Sequence, residues 1–196
     1  MNAISIKDFF SDNFSLYNDK LTIQSAHLHN LMQIWDILSK EPGEIVTCRP
    51  VIKKTWEESQ EMFRKLIEDS STYLLEIIYS GAVVGKITIS DYNWRNQSAE
   101  IGYSLLPEYR EKKYMSSALK LLLAYLFEHT VLNKFYAQTG AFNLNSIYLL
   151  ESLGFHQDGR LREHHELNGV FYDDFIYSML SSDYYKIKNL KNTSKV

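Results

Sequence analysis

"AEIGYSLLPEYREKKYMSSALKLLLAYLF", Ala99–Phe127, reads as a strand, a short loop and a long helix. Along 99–105 the side chains alternate. Glu100, Gly102 and Ser104 share one face, and Ile101, Tyr103 and Leu105 the other. Over 115–129, Leu119, Leu122, Leu123 and Leu126 recur at helical spacing as an inward stripe. A strand passing through a short loop into a helix is suited to hold a phosphate. The first helical amides point outward without partners and carry partial positive charge. Such loops rely on glycine for close backbone approach. Here none occurs between Gly102 and Gly140, and Lys112 and Lys113 stand in the loop.

Working outward, Leu21–Ile23 is a candidate first strand, and 26–39 carry Leu28, Leu31, Ile34, Trp35 and Leu38 at helical spacing. "EPGE" (41–44) breaks that helix. Thr55 is an N-cap with Glu57 and Glu58 behind it, opening a helix to about Glu68. Met62, Phe63, Leu66 and Ile67 mark its apolar face. "STYLLEIIYSGAVVGKITISDY" forms two antiparallel strands hinged at Ser80–Gly81. "NKFYAQTGA" is a strand, and 144–153 a helix stopped by Gly154. "FHQDGRLREHHEL", the turn Asn168-Gly169 and "VFYDDFIYSML" close as a hairpin. The order β-α-α-β-β-β-α-β-α-β-β predicts an α+β fold: a mixed, mostly antiparallel sheet with helices on both faces.

The 196 residues suit one domain, expected over 21–182, with an N-terminal extension (1–20) and a polar, frayed tail (183–196). Hydrophobic residues at 45% and charged residues at 23% support a packed core. A net charge of -3 and a pI near 6.1 argue against a nucleic-acid binder. No apolar run reaches the roughly 18–20 residues that span a bilayer, and the N-terminus lacks a signal-peptide core. One cysteine, Cys48, excludes an internal disulfide and a multi-cysteine zinc site. A cytoplasmic protein is the expectation.

Three segments in order, "AEIGYSLLPEYR…YMSSALKLLLAYLF", "NLNSIYLLESLGF" and "GRLREHHELNGVFYDDFIYSML", make Leu21–Leu180 resemble the GNAT acyltransferases, in the RimJ/RimL-type N-acetyltransferase branch. The resemblance implies acetyl-CoA as co-substrate, no metal, and a primary α-amine as acceptor. That amine belongs to a protein N-terminus or to a small aminoacyl compound. One option is an aminoacyl-nucleotide antibiotic of the kind acetylated in microcin C self-immunity. A monomer or homodimer is expected. The family loop has the form Arg/Gln-x-x-Gly-x-Gly/Ala. Arg110 matches it, Lys113 replaces the first glycine and Met115 the second small residue. Main-chain donors survive these changes, with the Lys113 side chain pointing to solvent if its φ is negative. The expected coenzyme A contacts are Tyr103, Leu105, Arg110, Lys112, Lys113, Tyr114, Met115, Ser116, Asn143 and Ser146.

Acetyl transfer needs a neutral amine, a donor for the developing oxyanion and a way out for the thiolate. Glu100, on the strand beside the pantetheine arm, is a candidate proton acceptor, as well as a plain strand-start carboxylate. His165 is the second candidate: the resemblance to RimL-like chains implies a base in this segment, and counting back from the Asn168-Gly169 turn puts His165 there, where a surface histidine is the plain alternative. A histidine is suited to proton transfer near neutral pH. Glu100 is weighed slightly higher because its strand lies beside the thioester. Many family members carry a tyrosine four residues before the Gly-Phe pair; here Leu150 stands there. Tyr148 is two residues earlier, about 200° around the helix, and faces elsewhere. Ser146 and Asn143 match the branch's Asn-x-x-Ser, where they would meet the sulfur and the pantetheine arm; both also suit helix capping. Trp56 and Phe63 share a helix face and are acceptor-side candidates, although core packing explains them more simply. Trp94, in a polar loop, is the third. Cys48 is read as a plain linker cysteine. A competing reading is a non-catalytic acyl-CoA-binding module, supported by the missing glycines and tyrosine.

Overall fold

The computed structural model describes residues 5–11, 13–41 and 54–193, so Cys48 and the Pro-Gly break lie outside the described residues. The strands are β1 (Ser15–Tyr17), β2 (Thr22–Ser25), β3 (Tyr73–Tyr79), β4 (Ala82–Asn93), β5 (Ser98–Leu105), β6 (Lys134–Gly140), β7 (His156–Leu167) and β8 (Val170–Leu180). The helices are α1 (Leu28–Leu38), α2 (Trp56–Glu68), α3 (Tyr114–His129), α4 (Leu144–Leu153) and α5 (Ser181–Thr193). One sheet runs in the order β1-β2-β3-β4-β5-β6-β8-β7. Among the described residues β5 and β6 are its parallel pair.

Alternation divides each strand between two faces. Ile77, Ile87, Ile89, Ile101, Phe135, Ala137, Tyr177 and Met179 are buried in the large core shared with Ala118, Leu122 and Leu126 of α3 and Leu150 of α4. On the opposite face, here called the front, Leu74 packs with Leu31, Met32 and Phe63 of α1 and α2. Burying such a side chain is worth about 1.5–3 kcal/mol, so this two-sided pattern holds the register. Thr55 caps α2 as expected: its hydroxyl accepts from Glu58 N–H (3.2 Å) and Glu58 Oε2 accepts from Thr55 N–H (2.8 Å). Asn168 and Gly169 take φ of 54° and 80°, the mirror-image turn that suits the twist of the closing hairpin.

The described residues toward both termini, 5–14 (apart from 12) and 181–193, pack more closely than their composition implies. Ile6, Phe10 and Phe14 are buried, and Phe10 stacks on Tyr73 at 3.9 Å. The segment 183–193 is helical rather than frayed. Tyr184 stacks on Phe127 at 5.3 Å, and Lys188 reaches Glu128 at 2.7 Å. Ile187 lies so close to Gly154 that a Cβ there would meet it at 2.3 Å. Sparse apolar residues, spaced three apart, anchor a helix when a core already exists to receive them.

A fully buried carboxylate, Glu76 on β3, ties α1 to the sheet. It accepts from Gln24 Nε2 (2.7 Å), His27 N–H (3.0 Å) and Asn30 Nδ2 (3.0 Å), and lies 3.0 Å from His27 Nδ1. Burial raises its proton affinity, but these donors together outweigh burial and hold the carboxyl below its ordinary value. Glu76→Gln turns an amide N–H₂ toward these donors and is expected to cost about 2–4 kcal/mol at pH 7. Because the folded value is depressed, the glutamate's advantage is full above the ordinary carboxylate range and lost as pH falls through the folded value. The gap between native and variant, read from urea unfolding, should therefore narrow below about pH 4. An equal gap at pH 7 and pH 3.5 would refute this account.

Candidate active site

β5 and β6 are paired only at Ser98–Lys134, Ala99–Phe135 and Glu100–Tyr136. Beyond that, β5 continues with β4 as far as Leu105, and β6 continues with β8 as far as Gly140. The two strands therefore part at Glu100 and Tyr136 and leave a wedge between their C-terminal halves. Its β5 wall, residues 101–105, is roughly 13 Å long at the usual strand rise. Parting parallel strands are where open α/β sheets receive ligands, because main-chain groups there lack strand partners.

The wide end of the wedge meets the N-terminus of α3. The first helical bond is Ser117 N–H to Lys113 O (3.0 Å), so the amides of Tyr114, Met115 and Ser116 precede it. Lys113 takes φ 64° and ψ 13°, and Glu111 φ 61°. The φ left open at Lys113 is positive: the lysine adopts the left-handed backbone that glycine ordinarily supplies, and the loop keeps a glycine-type course without glycine. Met115 is 6% exposed with its side chain in the core, which leaves only its amide to face a ligand. Tyr114 turns its ring onto Tyr79 (4.5 Å) and Tyr109 (6.2 Å). Hydrogen bonding to the Tyr79 hydroxyl raises the Tyr114 phenol above its ordinary value.

Two expected ligand side chains have other partners. The Arg110 guanidinium grips Glu41 through Nη1 (3.1 Å) and Nη2 (2.5 Å) and donates from Nε to Leu105 O (3.2 Å). Its planar fork matches a carboxylate and braces the loop against the β5 end instead of facing a phosphate. Lys112 turns back, donating to Glu108 O (2.7 Å) with Nζ 5.9 Å above the Tyr109 ring. Lys113 remains exposed.

Across the wedge stands α4. Asn143 is its N-cap, accepting from Ser146 N–H (3.2 Å), so its side-chain oxygen holds the helix. Ser146 Oγ is 2.8 Å from the Tyr103 hydroxyl, which links α4 to the β5 wall. Leu150, at the usual tyrosine position, is fully buried, and Tyr148 is 64% exposed, so the two lie on different faces of α4. We expect Tyr148→Phe to leave turnover within about twofold of native and Ser146→Ala to lower kcat more than acetyl-CoA affinity. A large kcat loss in a natively stable Tyr148→Phe would reverse this assignment.

On the front face, Glu100 is half-buried where the strands part, between Ser90 of β4 and Tyr136 of β6. Tyr136 donates to Asp91. Next along β6, Gln138 Nε2 donates to Asp174 Oδ2 of β8 at 2.6 Å. His165, on β7, is 8% exposed with Nδ1 3.9 Å from Asp174 Oδ1. His164 and Glu166 are exposed, as alternation requires. Phe63 is withdrawn from the acceptor side: it is 3% exposed in the α1–α2 core with Lys86 Nζ 5.4 Å from its ring centre. Trp56 is half-exposed at the start of α2, edge-on to Trp35 at 5.9 Å. Trp94 is exposed in the β4–β5 turn, beyond the closed end of the wedge. Gln138 and Asp174 were not singled out from the sequence. The available signal was the Asp173-Asp174 pair inside the apolar run "VFYDDFIYSML", where one carboxylate must face inward.

The fit to coenzyme A rests on three features: the outward amides of α3, the left-handed loop residues that direct them, and the wedge leading to Glu100. Among the described residues no cluster could hold a metal ion, and no helix is long and apolar enough to cross a membrane.

Comparison with known proteins agrees with this geometry. The acetyltransferase (GNAT) domain family matches residues 21–156. The putative ribosomal N-acetyltransferase YdaF of Bacillus subtilis is 27% identical over 150 residues, covering 76% of this chain and 78% of its own. The spermidine N(1)-acetyltransferase of Vibrio cholerae is 25% identical over 178 residues, covering 85% and 96%. The Vibrio cholerae spermidine N-acetyltransferase solved with CoA and spermine superimposes with a TM-score of 0.78 at 23% identity, over 86% of this chain and 99% of that one. RimL, the ribosomal L7/L12 α-N-protein acetyltransferase solved with coenzyme A, gives a TM-score of 0.77 at 17% identity, over 85% and 98%. With the family matched over most of the chain and the fold shared with solved acetyltransferases, the chain belongs to the GNAT acetyltransferases and is an acetyl-CoA N-acetyltransferase.

Proposed function

We propose that the acceptor is a primary α-amine, carried by a protein N-terminus or a small aminoacyl compound. The observation that carries this reading is the front-face row beginning where the wedge closes: Glu100, then Gln138 and Asp174, then His165. Two carboxylates and an imidazole suit an incoming ammonium group and a proton that must leave it, and disfavour an anionic acceptor. The relatives' names, a ribosomal N-acetyltransferase and a spermidine acetyltransferase, are both those of amine acetylators.

Acetyl-CoA supplies the activated acyl group when bound. The residues that would hold it are the amides of Tyr114–Ser116 at the pyrophosphate, the β5 edge from Ile101 to Leu105 along the arm, and Ser146 near the sulfur. Glu100 attracts the ammonium to the closed end of the wedge, and Glu100 and His165 are the two groups able to take its proton.

An acetyl-CoA turnover screen against N-terminal peptides, polyamines, aminoglycosides and aminoacyl-nucleotide analogues tests the acceptor class. Turnover on peptides or aminoacyl compounds is expected. Turnover confined to polyamines would overturn the α-amine assignment. Coenzyme A binding without turnover on any amine in the screen would count against a catalytic role.

A further inference from the structure

His165 owes its position to a bulge in β7. Register passes from Leu161 opposite Asp174 to His165 opposite Tyr172, so four steps on β7 face two on β8. Asp173 pins this bulge, accepting from Glu163 N–H (2.8 Å) and from the Arg160 side chain, with Glu163 at φ 50°. Bulges of this kind re-aim side chains beside functional sites. Here His165 is turned inward against the edge of Phe142, 4.8 Å between ring centres. Behind it, Asp174 has no exposed surface. Its Oδ2 is satisfied by Gln138, while Oδ1 has no hydrogen-bond partner. A buried carboxylate oxygen left this way is unfavourable, and a donor would recover that cost. The donor facing it is the His165 ring, 3.9 Å away. The titratable groups that face that ring are Asp174 and Tyr172 on β8, while Glu163, His164 and Glu166 on its own strand are exposed; Phe142, before α4, is neutral.

We infer that Asp174 is the positioning residue of His165 and makes it the proton acceptor of the reaction. This rests on the transferase reading above. Asp174 Oδ1 accepts Nδ1–H, so that Nε2 carries the lone pair, and the carboxylate stabilises the imidazolium that follows. At 3.9 Å the pair stands just beyond hydrogen-bond reach, and catalytic pairs often tighten to a hydrogen bond only with substrate in place. The ammonium R–NH₃⁺ gives one proton to Nε2, directly or through one water. The freed lone pair forms the N–C bond while the C–S bond breaks. The amide nitrogen sheds its second proton to solvent, the thiolate is protonated, and His165 returns its proton to solvent. The net change is one amide, one thiol and one proton released.

The test uses the full chain labelled with ¹⁵N-histidine, without acceptor, and His165→Gln assigns the signal among the six histidines. The expected ring is protonated at Nδ1, and Asp174→Asn should move that proton to Nε2. In the same variant, kcat/KM for an alanyl hexapeptide and for spermidine should fall about 10²-fold. Its acidic limb should move to lower pH, with acetyl-CoA affinity unchanged. A wild-type His165 protonated at Nε2 would overturn the inference even if Asp174→Asn fails to fold. So would a folded Asp174→Asn with the native tautomer and pH profile. The tautomer is read without turnover, so failure to acetylate any amine of the screen would sink the proposed function and leave this result standing.

Discussion

His165→Ala is expected to lower kcat/KM for amine acetylation about 10²–10³-fold while coenzyme A affinity stays native, the size of effect that general-base help commands. The same variant should lose the acidic limb of the pH–rate profile, because the imidazole is the group whose protonation would switch attack off. Glu100→Gln should act differently. At the closed end of the wedge its carboxylate draws in an ammonium, so its loss should raise the acceptor KM about tenfold and leave kcat near native. Steady-state kinetics from pH 6 to 9 on both variants separates these roles. If Glu100→Gln loses 10²-fold in kcat and His165→Ala keeps the native rate, Glu100 is the base. The sequence favoured Glu100 by a small margin. The structure adds a buried carboxylate behind His165, which shifts our expectation toward the histidine.

Ser116→Pro should weaken coenzyme A binding about 10–100-fold. Ser116 is the third residue of α3, ahead of the first intrahelical bond, so proline there removes an outward amide without breaking the helix ladder. A hydrogen bond to a charged partner is worth about 1.5–3 kcal/mol, which is that range in affinity. Lys113→Ala, which removes a screened surface charge, should change affinity less than about threefold. Lys113→Gly should raise stability by about 1 kcal/mol, since the left-handed backbone at φ 64° burdens any residue with a Cβ. Calorimetry with coenzyme A and thermal unfolding check the three together. Unchanged affinity in Ser116→Pro would remove the α3 amides from the site, and a Lys113→Gly no more stable than native would show that the loop carries no strain.

Much of the frame was legible from local rules. The strand–loop–helix at 99–127, the Thr55 cap, the Asn168-Gly169 turn and the Gly154 stop each depend on residues within a few positions of one another. Their physics, alternation, capping and left-handed turns, is written in short windows. Other features depended on partners distant in the chain. Phe10 and Phe14 looked like part of an extension, yet they pack on Tyr73 and Tyr125. The tail looked polar, yet Tyr184 and Ile187 find Phe127 and Gly154.

The site divides in the same way. Composition, periodicity and the family pattern by themselves determined an α+β chain, and pointed to a helix start suited to an anion, an expected acyl carrier and two candidate bases. They could not show that Arg110 would be taken by Glu41, 69 positions away. Nor could they show that Lys113 would adopt a glycine's backbone, because a φ angle there is set by how β5 and α3 are docked and not by the residue's own preference. The wedge exists because β6 leaves β5 to follow β8, and His165 meets Asp174 because a bulge adds two residues to one strand. Those are questions of register between strands far apart in sequence. Register is decided by which faces bury together, so it was settled by the packed tertiary structure alone.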